Sequence, residues 1–404
     1  MYRNVEKNKK YICEIKKIID IIKWRVTLYK IEASSDDEIK KIEKTYLKYK
    51  EKINEKDNSK YFWRSVAQYS CQIEGYGRLK YFFLNAAAII LLPKFLLKIR
   101  TRKKNPVKNN CDYLKINNYR NSFIPEVLKE NTVNAVEIKD RYLITDDLKL
   151  VINLCIENLY FNPLFIYKIL GWIASVRPYL DIYNPKCLIQ YCEYSATSSL
   201  RRLYLNEYGI RIANISHGEE DISSRNSFCS FDEYYVWSVI PNKIHQLNHI
   251  ESTHRITFNP CENLPQAPVI SKSIIGLLWP VGKDDGMIST IIEQLRQLDP
   301  EYPLIIRPHP AASHFHRFKK IKLLKSFEIS NPHEEDINSF INRTSLIIGV
   351  RSAAMIQADL RGRKIVYINN EMLRSARKYN LYYSEKSYIE ANGLANFMVQ
   401  NYLS

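Results

Sequence analysis

Four short stretches hold side chains that can do acid–base or anion chemistry. In the first, Leu304-Ile305-Ile306 runs straight into Arg307-Pro308-His309-Pro310. Each proline fixes φ and removes a backbone donor, so His309 sits in a loop of defined shape. An imidazole there donates to a phosphate oxygen or, when protonated, neutralises a leaving group, and Arg307 can add a bidentate contact. The plain alternative is a rigid turn. The second is Ile347-Ile348-Gly349-Val350-Arg351-Ser352-Ala353-Ala354. An apolar run ends at an Arg-Ser pair, and small residues then open a helix whose first N–H groups, with the serine hydroxyl, suit an anion. A simple serine cap is the alternative. The third, Trp279-Pro280-Val281-Gly282-Lys283-Asp284-Asp285-Gly286, offers two glycines and Lys283 to a phosphate. It is neither a Walker A loop nor a Gly-x-Gly-x-x-Gly pattern.

The fourth stretch is different in kind. Asn214-Ile215-Ser216-His217-Gly218-Glu219-Glu220-Asp221 puts a histidine and three carboxylates after an apolar run. Clustered like charges raise a carboxyl pKa toward the working range, so His217, Glu219 and Glu220 are candidates for a general base. The alternative is an acidic helix start facing the dipole. His314 and His316, with Arg317 and Lys319, read as a basic surface. No carboxylate partner stands at useful spacing, so no metal site is expected.

The elements that must position these loops alternate between strand and helix. Strands are expected at Cys187–Cys192, Arg211–Ser216, Tyr234–Trp237, Arg255–Phe258, Ser273–Leu278, Pro303–Ile306, Ser345–Val350 and Lys364–Ile368. Helices are expected at Ala196–Glu207, Ile288–Leu298, Glu335–Asn342 and Ser352–Leu360. That alternation predicts βαβ units and parallel sheets, with ligands at the carboxyl ends of the strands. Residues 105–125 read as a polar linker, 259–268 as an interdomain linker, and the tail after Glu371 as mainly helical. The expected architecture is α/β: two Rossmann-like parallel-sheet domains facing a cleft, behind a basic helical extension. The boundaries are 1–125 for a membrane-proximal region, 126–262 for an acceptor domain and 263–404 for a nucleotide-donor domain with C-terminal helices.

Charge separates these regions. The chain has a formal net charge of +17, yet residues 1–110 hold 27 Lys and Arg against 12 Asp and Glu, and the remainder 33 against 31. The excess is therefore an N-terminal property. Tyr81 to Pro93 is an apolar run broken by Asn85, with Lys94, Lys98, Arg100, Arg102, Lys103 and Lys104 behind it. It falls short of the roughly 20 apolar residues a spanning helix needs. A membrane-surface element drawn to anionic headgroups is expected, with a buried core helix as the alternative. No nucleic-acid partner is expected, because no basic-aromatic motif accompanies the charge. The eight cysteines are dispersed, with no Cys-x-x-Cys pair. That pattern and a polar N-terminus without a signal-peptide profile point to a reducing cytoplasm.

The ordered set His217-Gly218, Arg307-Pro308-His309-Pro310 and Gly349-Val350-Arg351-Ser352 resembles GT-B glycosyltransferases of bacterial surface polysaccharide synthesis. The likeness extends to the capsule and lipopolysaccharide sialyl- and Kdo-transferases and to teichoic-acid glycerophosphate polymerases, and it covers residues 180–370. It implies that His309 and Ser352 contact the donor nucleotide phosphate. The sialyltransferase likeness would place an acidic base in Asp284-Asp285-Gly286, whereas the polymerase likeness would make His217 the base. The His217, Glu219 and Glu220 group is favoured.

The expectation is a metal-independent glycosyltransferase on the inner face of the cell membrane. It would use a nucleotide-sugar co-substrate, a CMP-sugar being one candidate, and no cofactor. Lys283, Arg307, His309, Arg351, Ser352 and Ala353 would hold the donor, and the acceptor would be a surface-polysaccharide or lipid-linked glycan. A CDP-alditol phosphotransferase, a UDP-sugar 2-epimerase and a non-catalytic membrane scaffold are the alternatives.

Overall fold

Apolar runs that alternate in direction rather than in polarity build the centre of the protein. Along 187–189, Cys187 and Ile189 pack on one face while Leu188 packs on the other. Along 277–279, Leu277 and Trp279 face one way and Leu278 the other. A strand buried on both sides belongs in a parallel sheet covered by helices. The computed structural model describes residues 35–75, 77–100, 110–116, 124–216, 218, 220, 222–240, 242–270, 274–279, 285–296, 303–310, 327–350, 352–368, 388–389 and 394.

In chain order the strands are β1 (Ile99–Arg100), β2 (Cys111–Lys115), β3 (Thr132–Asn134), β4 (Leu143–Ile144), β5 (Pro185–Gln190), β6 (Arg211–Ile215), β7 (Ser230–Trp237), β8 (Glu251–Phe258), β9 (Ile275–Trp279), β10 (Leu304–Pro308), β11 (Glu328–Ile329), β12 (Leu346–Gly349), β13 (Lys364–Ile368) and β14 (Tyr388–Ile389). The first sheet has the order β3-β2-β5-β6-β7-β8 and the second β11-β10-β9-β12-β13-β14. Every pairing in both is parallel. A two-residue ladder joins β1 to β4. The two Rossmann-like parallel sheets expected from the sequence are observed.

Each strand order reverses once, between β2 and β5 in the first sheet and between β9 and β12 in the second. Successive crossovers leave such a point on opposite faces, and the divergence opens a crevice at the carboxyl ends.

Two expectations change. Residues 105–125 are not simply a linker: Cys111–Lys115 is a strand, held between β3 and β5, so the first sheet reaches back before residue 126. In the tail, Tyr388–Ile389 pairs with β13 as a strand, and the helices expected there lie outside the described residues.

The N-terminal helices Ser35–Ile53 and Ser59–Glu74 are built into the first sheet's domain. Gln68 Nε2 donates to the carbonyls of Glu193 and Arg225, both at 2.8 Å, and Gln68 Oε1 accepts from Ser198 Oγ at 2.8 Å. The Leu200 N–H donates to Ser65 Oγ at 2.8 Å. Helix Pro163–Tyr183 starts at Asn162, whose side chain accepts from the Phe165 N–H, and ends at Asn184 in left-handed backbone. A buried Asp147 ties this helix to its neighbours, accepting from Tyr204 and Tyr208 hydroxyls at 2.9 Å and from Arg177 at 3.4 Å. Buried carboxylates persist when saturated with donors in this way.

Candidate functional site

The reversal point of the first sheet carries a pocket of about 330 Å³. It is lined by Ile116, just past β2, by Gln190, Tyr191 and Cys192 at the end of β5, and by Glu137, Arg141, Trp172 and Arg201. Arg201 comes from helix Ser198–Glu207 and is aimed by three oxygens: Thr197 Oγ1 at 3.1 Å, Gln190 Oε1 at 2.9 Å and Ser195 Oγ at 2.8 Å. Its guanidinium lies 5.0 Å from the Trp172 ring centre. The guanidinium stacks over the indole, and with Glu137 also lining the pocket its polar groups carry both signs of charge, which suits the hydroxyls of a sugar. One turn before Trp172, Lys168 stands over the Tyr69 ring at 5.6 Å. Burial, with Arg225 nearby, brings its ammonium pKa down to about 8.

The loop after β6 reaches toward the second sheet. Gly218 has φ +136°, and a Cβ added to it would meet the Ala353 Cβ at 2.9 Å and the Trp237 ring at 3.5 Å. Ala353 opens helix Ala353–Leu360, which Ser352 caps by accepting the Met355 N–H at 3.3 Å. The serine acts as a cap, and its hydroxyl proton remains able to donate. The first-turn N–H groups of that helix have no intrahelical carbonyl to bond. Ser352 follows β12, directly at the second sheet's reversal point. On the other side of β9, the His309 N–H donates to the Trp279 carbonyl at 3.1 Å, which pins the exposed loop after β10 to the end of β9.

Two expected site residues turn inward. Arg307 is 5% exposed, and its Nη1 and Nη2 donate to Ser330 Oγ at 2.7 Å and the Glu335 carbonyl at 2.8 Å. The fork expected on a phosphate is engaged in bracing the sheet. Burial lowers the Arg307 pKa; Glu335, which burial alone would raise, is held low by hydrogen bonds from Arg343 and Ser330. Glu220 is 1% exposed and accepts from Tyr234 Oη and His245 Nε2, both at 2.5 Å. Arg255 Nε donates to His245 Nδ1 at 3.1 Å, which fixes the imidazole proton on Nε2 and makes Glu220 the acceptor. Burial and Glu220 push the Tyr234 hydroxyl pKa well up. With both oxygens engaged inside the domain, Glu220 anchors its loop and is not placed as a base. His217, Glu219, Lys283 and Arg351 lie outside the described residues.

Sequence reasoning passed over Arg141, Lys168, Trp172 and Arg201. Trp172 precedes its strand by a full helical crossover, and Arg201 adjoins Arg202, which bonds Asp232 instead. Only the helix register tells them apart.

No protein-family model matches the chain, and no curated protein matches it. Among solved structures it is similar to a Staphylococcus aureus MnaA–UDP complex, at 10% identity over 72% of this chain and 88% of that one, TM-score 0.44. It is also similar to a Neisseria meningitidis UDP-GlcNAc 2-epimerase bound to UDP-GlcNAc, at 12% identity over 72% and 99%, TM-score 0.41. A third is the wall teichoic acid polymerase TagF, at 11% identity over 80% and 89%, TM-score 0.39. At these values the likeness assigns no activity.

Proposed function

We propose that the protein is a glycosyltransferase that moves a sugar from a nucleotide-sugar donor to a hydroxyl of a glycan or lipid-linked acceptor. The observation that carries this reading is the contact of Gly218 with Ala353, which sets the carboxyl ends of the two sheets face to face. The donor phosphate would lie at the second sheet's reversal point. His309, the Ser352 hydroxyl and the first-turn amides of Ala353–Leu360 would meet it, joined by Lys283 and Arg351. The acceptor would occupy the Trp172–Arg201 pocket of the first sheet.

In the proposed reaction the acceptor oxygen bonds to the anomeric carbon as the bond from that carbon to the donor phosphate oxygen breaks. The nucleotide departs with the electron pair, and the acceptor proton passes to a base. With Glu220 committed elsewhere, His217 is the preferred base. Donors aimed at the departing phosphate act where negative charge develops, which is where fixed hydrogen bonds accelerate a reaction most. The nucleotide leaving group drives the transfer, so the proposal asks for no resident cofactor or metal.

Thermal-shift titration with CMP-, CDP-, UDP- and GDP-linked donors tests the reading. One nucleotide class should raise the Tm, and the rise should vanish in His309→Ala. A protein that none of the four stabilises would remove the donor assignment. Turnover of CDP-glycerol with transfer of phosphorus would instead establish the phosphotransferase alternative, for which the same loops serve.

A further inference from the structure

Helix Arg78–Leu91 and its continuation Pro93–Leu96 are long and apolar enough, by length and composition, to cross a membrane. One stripe of this segment is packed: Tyr81, Asn85, Ala88, Leu92 and Phe95 recur at intervals of three and four, so they share a face. The Tyr81 hydroxyl accepts from Asn162 Nδ2, and Asn85 Oδ1 accepts from the Leu164 N–H at 3.3 Å. Phe95 is buried, with its ring 5.4 Å from that of Tyr167. These contacts fasten the helix lengthwise along Pro163–Tyr183. A helix so fastened lies along the domain with one face covered.

The opposite stripe is the anomaly. Leu79, Phe82, Phe83, Ile89 and Ile90 are exposed, Ile90 at 74%. A surface helix normally turns a polar face outward. The neighbouring corner repeats the pattern. Tyr160 packs inward against Phe62 and Phe165, while Leu159 and Phe161 on either side of it are 84% and 61% exposed. Leu159 also has φ +49°, a conformation disfavoured for a branched side chain. The apolar stripe is bracketed by Arg78 and Lys80 at one end and by Lys94 and Lys98 at the other, with no Asp or Glu from 78 to 100, while Arg100 is paired with Asp140 at 2.6 Å.

We propose that this face, together with the Leu159–Phe161 corner, lies flat in the interface of an anionic lipid bilayer. Apolar side chains would enter the acyl boundary, and the bracketing cations would meet headgroup phosphates. Charge decides against a second copy as the occupant. Two such faces would bring their cations together, with no carboxylate from 78 to 100 to answer them. The proposal is independent of the chemistry above, since vesicle binding needs no donor.

The test is co-sedimentation of the full chain with vesicles of phosphatidylcholine alone or with phosphatidylglycerol added. The protein should pellet with the anionic vesicles. Phe82→Ser with Ile90→Ser, and separately Leu159→Gly with Phe161→Ser, should each lower the bound fraction about tenfold. Lys94→Gln with Lys98→Gln should erase the preference for anionic over neutral vesicles. Unchanged far-UV circular dichroism and Tm confirm that each variant is folded. Folded variants that pellet as fully as the parent would overturn the proposal. So would a parent that stays in the supernatant and sediments as a dimer that Phe82→Ser with Ile90→Ser dissociates.

Discussion

Gly218, on the loop after β6, and Ala353, at the start of the helix after β12, stand so close that a Cβ on the glycine would sit 2.9 Å from the alanine Cβ. The Trp237 ring, 3.5 Å from the same position, adds to the crowding. The contact fixes how closely Gly218 and the helix that Ser352 caps approach each other.

Gly218→Ala should therefore part the two loops. The φ of +136° adds strain to the steric conflict, and about 1–3 kcal/mol of stability should be lost. Turnover should fall more than donor affinity, read from kcat against the donor thermal shift. A variant that keeps the parent's kcat would show that the contact does not set the reactive geometry.

Ser352 has two separable duties. Ser352→Ala should cost about 1 kcal/mol as a lost helix cap. Ser352→Asp keeps a cap oxygen but places a negative charge against the donor phosphate, so stability should hold while donor affinity falls about tenfold or more. Equal donor binding by Ser352→Asp would move the phosphate elsewhere.

Arg307 and His309 are two residues apart in the chain and should behave oppositely. Arg307→Ala leaves Ser330 and the Glu335 carbonyl without their donor and should destabilise by about 2–4 kcal/mol. His309→Ala, on an exposed loop, should leave the Tm close to the parent's yet lower turnover by about 10²-fold. Chemical denaturation and a transfer assay on the same preparations separate the two.

Glu220→Gln should lower stability by about 2–4 kcal/mol, because the amide nitrogen meets a hydroxyl or imidazole donor in place of an acceptor. The pH–rate profile of the folded variant should keep its acidic limb. Loss of that limb would restore Glu220 as the base.

Lys168 makes stability depend on alkaline pH. Its pKa falls from 10.5 to about 8 on folding, so between those values the unfolded chain binds the proton more strongly. Stability from this group is fully present above 10.5 and is lost as pH falls through 8. Lys168→Met should therefore stabilise the protein by about 1–3 kcal/mol at pH 7, with the gain shrinking toward zero near pH 10.5. A gain that is constant across pH 8–10.5 in urea denaturation would contradict the cause given.

Most strands were legible because a run buried on both faces leaves few readings: Lys364–Ile368 and the core of Pro185–Gln190 stand out as apolar words between polar ones. Cys111–Lys115 did not, because Asp112 interrupts it, Lys115 ends it, and its neighbours 105–110 and 117–121 are rich in asparagine. Its strand state comes from β3 and β5, both further along the chain. His309 and Ser352 are expected just after strands, and the structure puts them there, behind β10 and β12. Arg307 and Glu220 were found by type but misassigned in role, since a sequence gives a side chain's chemistry and not its direction. Trp172 and Arg201 stand 29 residues apart on the two helices that flank β5, and no local pattern in the sequence pairs them.

Gln68 has a consequence for how the chain is made. Its partners Glu193 and Arg225 lie 125 and 157 residues downstream. At about 5–20 residues per second, a ribosome takes on the order of ten seconds or more to supply them. Until then the Ser59–Glu74 helix, with Phe62, Trp63 and Tyr69 on it, has no sheet to close against. This helix, made well before the partners of Gln68, is thus among the last to be sheltered, and nascent-chain chaperones should meet it in that interval.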